Sequence, residues 1–465
     1  MSNDEGMSKP ARHSVLIRHS SFVILLMPHF DLLIRGANSD IAIAEGRFVE
    51  IGLNLPGKAV EEIDATAMSI FPGVIDSHVH FNEPGRTEWE GFATGSAAAA
   101  AGGTTTVFDM PLNAHPPTID GESFDAKRAA AEKTSFVDFG LWGGLVPRNV
   151  SALATLRDRG VIGIKAFMCN SGIDDFSAVD VNALREGMRV AADLGLLVAV
   201  HAESESITSR LTKEKLASGQ TTVRAFLESR PIEAELDAIR TATEIAHATN
   251  CRLHIVHVSC GAGVRLVAEA RANGVDVTCE SCPHYLLLSA TDMETIGPMA
   301  KCAPPLRNSD HQSELWDALG EIETIGSDHS PSPPEMKDRQ NFFHVWGGIS
   351  GCQHLLGLLL QSKLPENRIR ELTSENVARR FGITQKGGIA VGKDADLTIV
   401  DSNRPDTIIA ESLRYRHKQT PYLGRKVSRI IRTILRGQTI YRNGKVTSQP
   451  MGKLVRPNGP CTDLL

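Results

Sequence analysis

Gly73-Val-Ile-Asp-Ser-His-Val-His-Phe-Asn-Glu-Pro-Gly85 is the stretch from which the rest of the chain can be read. A short apolar run, Ile70 to Ile75, leads into His78 and His80, one residue apart. Residues i and i+2 of a strand point to the same side. Pro84 and Gly85 then stop the strand, which leaves the two imidazoles together at a strand-to-loop rim. Such a pair is half of a metal site, because histidine is the commonest metal ligand. Two core histidines that happen to alternate would give the same text, so the remaining strands must decide.

Downstream, short apolar runs alternate with longer helical stretches from about Gly73 to Gln385. The strand candidates are Phe71–His78, Thr104–Asp109, Phe136–Leu141, Val161–Phe167, Leu196–His201, Arg252–Val258, Val275–Cys279 and Glu323–Ser327. Helix-like segments lie between them, among them Thr94–Gly102, Phe124–Lys133, Val181–Leu194, Pro231–Ala248 and Val264–Asn273. Eight β–α pairs over roughly 250 residues plus insertions indicate an α/β chain folded as a (β/α)8 TIM barrel. A doubly wound open sheet would want a glycine-rich phosphate turn after its first strand. Here Gly102-Gly103 precedes a strand instead, which is the wrong side.

The flanks differ from the middle. Leu32 to Arg35, Ser39 to Ala44 and Arg47 to Ile51 alternate with turns at Gly36, Gly46 and Gly52; Ala395 to Val400 and Val427 to Leu435 answer them at the far end. Strands from both termini enclosing a barrel predict one small β-sandwich assembled from both chain ends. The expected division is an N-terminal tail (1–27), the first part of the sandwich (28–72), the barrel (73–385), the second part of the sandwich (386–447) and an extended C-terminal tail (448–465). Lys9, Arg12 and Arg18 ahead of Phe22-Val-Ile-Leu-Leu26 loosely imitate a signal peptide, but the apolar run is short and no cleavage site follows. Met27 reads as a cleaner start, so residues 1–26 are expected to be a disordered tail or a mis-assigned beginning.

At 465 residues the chain exceeds one ordinary core, which suits a barrel with an appendage. A net charge of −6 without a Lys/Arg block makes nucleic acid an unlikely partner. No apolar run approaches the roughly 20 residues of a membrane span. The eight cysteines lack paired spacing apart from Cys279 and Cys282, as expected of reduced thiols in a cytoplasmic protein.

In a barrel the chemistry lies at the C-terminal strand ends. There stand His78 and His80 on the first strand, Lys165 inside the apolar run Gly163 to Met168, His201 on the fifth, His257 on the sixth and Asp328 on the eighth. Any one of these is ordinary as a hydrogen-bonded structural residue; six at equivalent ends are hard to explain as packing. Nitrogen and carboxylate ligands without cysteine suit zinc, manganese, iron or cobalt. A lysine buried in a strand loses hydration if charged, so its amine is expected neutral and reactive. A neutral amine can add CO2 to give a carbamate, whose two oxygens can bridge two cations. A core lysine held in a salt bridge is the alternative.

This set of residues resembles the cyclic amidohydrolases, the group holding dihydroorotase, hydantoinase/dihydropyrimidinase and allantoinase, from about Phe30 to Thr447. The resemblance implies two divalent metal ions per chain, zinc or otherwise iron, manganese or cobalt, and an N6-carboxylated Lys165. It places His78, His80, Asp328 and Lys165 on one metal, and Lys165, His201 and His257 on the other. It makes Asp328 the general base for hydrolysis of a cyclic amide, with His329 supporting the site rather than ligating. It also implies a homotetramer.

Within the group, dihydroorotases have arginine two residues past the second histidine to pair with a carboxylate. Asn82 stands there, so an anionic substrate would lose a charge-assisted pair worth about 2–5 kcal/mol when buried. The run Phe81-Asn-Glu-Pro-Gly-Arg-Thr-Glu-Trp-Glu-Gly91 is instead similar to allantoinases, as are Lys301-Cys-Ala-Pro-Pro-Leu-Arg307 and Trp346-Gly-Gly348; hydantoinases lack the Glu-Pro-Gly-Arg run. The implied substrate is allantoin, an uncharged hydantoin ring with a ureido arm, opened to allantoate. Asn113 is expected to bind the arm and the backbone around Cys302 and Ala303 the ring. Hydantoinase, dihydropyrimidinase and dihydroorotase activities, and a non-enzymatic scaffold, are the competing expectations.

Overall fold

The computed structural model describes residues 17–19, 22–24 and 29–458. Most of the expected N-terminal tail therefore lies outside the described residues. Its described part is a short antiparallel pair, β1 (Ile17–His19) and β2 (Phe22–Ile24). The alternating text that follows forms β3 (His29–Gly36), β4 (Asp40–Ala44), β5 (Arg47–Gly52) and β6 (Lys58–Ala65), in the sheet order β5-β4-β3-β6. The β4–β5 hairpin turns on Glu45 and Gly46, both at positive φ, which the glycine adopts without steric cost.

The expected first strand, Phe71–His78, is two strands. β7 (Ser69–Pro72) belongs to a sheet made with the far end of the chain, and only β8 (Val74–Val79) belongs to the middle. Gly73 is the changeover. Its N–H donates to Asp396 O at 2.9 Å, and a Cβ there would meet Thr105 Oγ1 at 2.2 Å. Continuous hydrophobicity could not reveal this break, because both neighbours are buried.

In the middle, β8, β9 (Thr104–Asp109) and β10 (Asp138–Leu141) are parallel, in the order β10-β9-β8. A second parallel sheet runs in sequence order: β11 (Gly143–Gly144), β12 (Ile164–Phe167), β13 (Leu197–His201), β14 (Arg252–Ile255), β15 (Val277–Ser281) and β16 (Thr324–Ile325). Backbone bonds join the two sheets on both sides. Ile162 N donates to Leu141 O at 2.9 Å, and His80 N donates to His329 O at 2.8 Å beside a parallel bridge between Val79 and His329. Buried residues run without interruption through β8, β9, β10, β12, β13 and β15, as expected of parallel strands covered by helices on one face and packed on the other. The intervening helix Val181–Asp193 shows the local cause. Asp180 caps it by accepting from Ala183 N at 2.8 Å, and Leu184, Met188 and Ala191 recur on the buried face.

The seventh strand is displaced from its expected span of Val275–Cys279. Val275 N caps the preceding helix by donating to Ala270 O, and the strand begins only at Val277, which brings Glu280 into it. The sixth also ends earlier than expected: His257 has φ 42°, in the left-handed region, two residues beyond β14.

At the far end, β17 (Leu397–Thr407), β18 (Lys426–Leu435), β19 (Gln438–Arg442) and β20 (Lys445–Val446) complete a five-stranded sheet, β20-β19-β18-β17-β7. Leu32, Ile34, Ile41, Ile43 and Phe48 from the first sheet share one apolar core with Leu397, Ile399 and Ile434 from this one. The segment expected as an extended C-terminal tail is extended where it is described, and it lies along β10: Val455 N donates to Phe139 O at 2.8 Å.

A buried charge cluster ties the terminal sheet to the middle. Lys386 Nζ reaches Asp138 Oδ2 at the start of β10 at 2.8 Å and Asp396 Oδ2 beside β17 at 2.6 Å. Arg436 pairs with Asp138 as well, and its N–H donates to Asp396 Oδ1 at 2.8 Å. Removing the lysine leaves two buried carboxylates facing each other with Arg436 alone between them. Lys386→Met should therefore cost about 3–5 kcal/mol, read as a lower urea midpoint. A shift below about 1 kcal/mol would show that the cluster is not structural.

Candidate metal centre

His78 and His80 project from the end of β8 as i and i+2, with ring centroids 5.4 Å apart. Asp328 Oδ1 lies 3.2 Å from His78 Nε2 and 3.5 Å from His80 Nε2. Asp328 sits just past β16 at φ 46°, a conformation that turns its carboxylate back over the strand ends. On the other side, His201 Nδ1 faces His257 Nε2 at 3.1 Å, and the His78 and His257 rings are 5.4 Å apart. The sequence-predicted ligands from β8, β13, the loop after β14 and the loop after β16 thus meet at the floor of one cavity of about 660 Å³.

Lys165 is the second residue of β12 and is fully buried. Its Nζ has no hydrogen-bond partner and lies 4.9 Å from the centre of the Phe167 ring. Burial brings its pKa down from 10.5 to about 7, against the pull of Asp328 and Glu280. The neutral amine is therefore within reach near neutral pH. Burial also lowers His80, His201 and His257, so their rings are neutral and hold lone pairs. Burial would raise Asp328, but the histidines around it, His78 first, outweigh this and hold its carboxyl well below the usual range.

Behind these residues stands a set that sequence reasoning did not single out. His78 Nδ1 meets Glu280 Oε1 at 2.8 Å, and Ser77 Oγ donates to the other oxygen. Burial opposes ionisation of Glu280, yet His78 outweighs it and keeps the carboxyl below its ordinary value. His78 is therefore the donor at Nδ1, and its Nε2 is left aimed at Asp328. In the neutral ring that tautomer leaves the Nε2 lone pair free for a cation, 3.2 Å from Asp328 Oδ1. His201 is oriented in the same way: its Nε2 donates to Glu203 Oε2 at 2.8 Å, and Arg230 grips Glu203 at 2.8 Å. A buried glutamate in a strand, like a buried lysine in one, was the available signal for Glu280; the displaced β15 hid it.

Cys169, His201 and Glu203 also come close enough to form a ligand cluster. Burial raises the Cys169 thiol to about 12, and Glu203 is already committed to Arg230 and His201. This trio supports His201 better than it would hold an ion.

Asn113, Cys302 and Ala303 all line the cavity. Asn113, at φ 69°, also has its side-chain amide 3.3 Å from His80 Nδ1. Cys302 is inert, its thiol pushed up to about 12 by burial. Asn82 is fully buried and lies outside the cavity lining, with its amide toward Pro331 O at 3.5 Å. What the position contributes is the absence of a cation. His329 is engaged away from the histidine cluster, accepting from Gly351 N at 3.1 Å.

The donor set fits two divalent cations. His78, His80 and Asp328 present three ligand atoms within mutual reach, His201 and His257 present two facing nitrogens, and Lys165 supplies an unpartnered amine. The low pKa of Lys165 has a measurable consequence. Between pH 7 and 10.5 the unfolded chain binds the proton that the folded chain has released, so stability of the metal-free protein should rise with pH. Lys301 and Lys337, also brought to about 7 by burial, act with the same sign. A Lys165→Met variant keeps those two, so its rise, followed as the urea midpoint from pH 7 to 10, should be shallower than that of the parent. Equal slopes would mean that Lys165 stays charged in the fold.

The sequence profile of the Amidohydrolase family matches residues 69–444. An allantoinase of Rubrobacter xylanophilus is 52% identical over 447 residues, covering 93% of this chain and 98% of that protein. An allantoinase of Deinococcus radiodurans is 48% identical, covering 92% and 99%. Among solved structures, the L-hydantoinase (dihydropyrimidinase) from Arthrobacter aurescens superposes with a TM-score of 0.88 at 34% identity, covering 92% of this chain and 99% of that one. Among the described residues no helix is long and apolar enough to cross a membrane. With the profile spanning most of the chain and relatives aligned nearly end to end, this chain belongs to the Amidohydrolase family.

Proposed function

We propose that this chain hydrolyses the cyclic amide bond of the hydantoin ring of allantoin, giving allantoate. The observation that carries the reading is the convergence of His78, His80, His201, His257 and Asp328 on one cavity, with the buried amine of Lys165 near enough to interact with Asp328, His201 and His257, in a chain aligned over nearly its full length with allantoinases. The two parallel sheets are read as one closed (β/α)8 barrel spanning 73–385. Bonds between the sheets on both sides, and the likeness to the hydantoinase structures, support that reading. The two terminal sheets, with their common core, are read as a β-sandwich of 28–72 and 386–447.

In the proposed centre, His78, His80, Asp328 and Lys165 would hold one divalent ion, and Lys165, His201 and His257 the other, with Lys165 as its carbamate. Zinc is the first choice, and iron, manganese or cobalt also suit these ligands. When bound, the ions supply Lewis acidity toward the ring carbonyl and toward water. Asp328, ionised at neutral pH, accepts the proton of the attacking water and returns it to the departing ring nitrogen. Glu280 and Glu203 fix the tautomers of His78 and His201 so that Nε2 of the first and Nδ1 of the second face the centre. No arginine or lysine stands at position 82, in keeping with an uncharged ring. The likeness to the cyclic amidohydrolases supports a cytoplasmic homotetramer, which light scattering would test.

Purified, metal-loaded protein should show a higher kcat/KM for allantoin than for hydantoin, dihydrouracil or dihydroorotate. Fastest turnover of another ring would replace the substrate and keep the centre; metal content near zero per chain would favour a scaffold. Lys165→Ala should lose metal and activity together, by about 10³-fold or more in kcat, measured by metal analysis beside the assay. Retained activity would remove the carbamate from the mechanism.

A further inference from the structure

The Glu83-Pro-Gly-Arg86 run contains no residue of the centre, yet its geometry gives it a part in substrate selection. Glu83 Oε2 accepts from Phe92 N at 2.8 Å and so secures the start of the helix Phe92–Ala101. Gly85, at φ 84°, lets this loop close on the next one: a Cβ there would meet His115 O at 2.1 Å, while His115 N donates to Pro84 O at 2.8 Å. Arg86 then reaches three ways. Its Nη1 donates to Asn113 O and Ala114 O, each at 3.2 Å; its Nη2 meets Asp175 Oδ2 at 3.0 Å; its guanidinium lies over the Trp89 ring at 5.5 Å. Asp175 also accepts from His115 Nδ1 at 2.7 Å, and Trp89 packs edge-on against Trp346 at 4.8 Å.

Each loop gripped in this way contributes to the cavity wall. Asn113 comes from one, Asn170, Ser171 and Gly172 from the loop that ends near Asp175, and Trp346 from a third. Asn113 is held at φ 69° with its amide on His80. We infer that Arg86, paired with Asp175, is a positioning residue that buckles these loops into one wall and thereby sets recognition of the substituent at the ring carbon beyond the amide. The inference rests on the proposed reading of the chain as a hydrolase of a substituted hydantoin ring. Arg86 touches no ligand atom and is not itself part of the cavity lining, so its influence passes through Asn113, whose carbonyl it holds, and through the 170–176 loop. A planar, five-donor guanidinium can hold two carbonyls and a carboxylate at once, which a lysine cannot reproduce.

The test compares wild type, Arg86→Met, Arg86→Lys and Asp175→Asn by two readouts. The first is backbone hydrogen exchange of the His115 and Phe176 regions, which needs no substrate. Loss of the buckle should speed exchange about tenfold in both regions in Arg86→Met, with bound metal unchanged. The second is kinetic: KM for allantoin, or for whichever ring substituted at that carbon the wild type prefers, should rise about tenfold, while kcat/KM for unsubstituted hydantoin stays within about threefold. Arg86→Lys should recover less than half of either effect. Faster exchange confined to 83–89 would overturn the buckle. Equal loss for substituted and unsubstituted rings would overturn its role in selection. A wild type that ignores allantoin would sink the proposed substrate, and the exchange result would still decide the buckle.

Discussion

An amine without a partner, buried in the second position of a parallel strand, is the constraint on which the rest of the site depends. Lys165 is fully buried, and among the described residues no carboxylate lies within ion-pair distance of its Nζ. A charged ammonium there would forfeit several kcal/mol of hydration. The fold answers by letting the pKa drop toward neutrality, burial outweighing the opposite pull of Asp328 and Glu280. What would be a defect in an ordinary core becomes a reactive group. The same burial that lowers the lysine strips the protons from His80, His201 and His257, so one physical cause prepares amine and imidazoles together.

That economy explains why the centre was legible in the sequence. A lysine in an apolar run and histidines at successive strand ends break the hydrophobic pattern, and a pattern break is visible one residue at a time. Residues that orient the ligands were less visible. Glu280 escaped because Val275 and Val277 read as one strand, whereas Val275 is spent on closing a helix turn. Glu203 and Arg230 lie 27 residues apart, and nothing in local periodicity joins them. The break at Gly73 escaped for a different reason. Ile70, Phe71, Val74 and Ile75 are all apolar, and only the third dimension shows that the first pair faces the terminal sheet and the second the middle one.

The position that argued most directly about substrate argues by what it lacks. Asn82 is sealed under the loop, not presented to the cavity. The sequence comparison with arginine-bearing relatives survives only in its negative half: no cation is held there. Specificity text and specificity geometry therefore part company. The conspicuous Glu-Pro-Gly-Arg run works by holding other loops, and residues of the wall such as Asn170 and Ser171 are unremarkable in the sequence.

This division follows from what each part must do. Ligands for cations need fixed directions, and strand ends provide them, because backbone hydrogen bonds on both sides leave little freedom to the side chains. A wall that recognises one substituent must differ between relatives sharing that centre, and loops can change without disturbing the strands. Loops are also mobile, so a selective wall needs a clasp. A guanidinium that binds two carbonyls, a carboxylate and an indole face is such a clasp, and it can sit outside the cavity without touching what it selects. Chains with the same six ligands and different clasps would then share a reaction and divide its substrates.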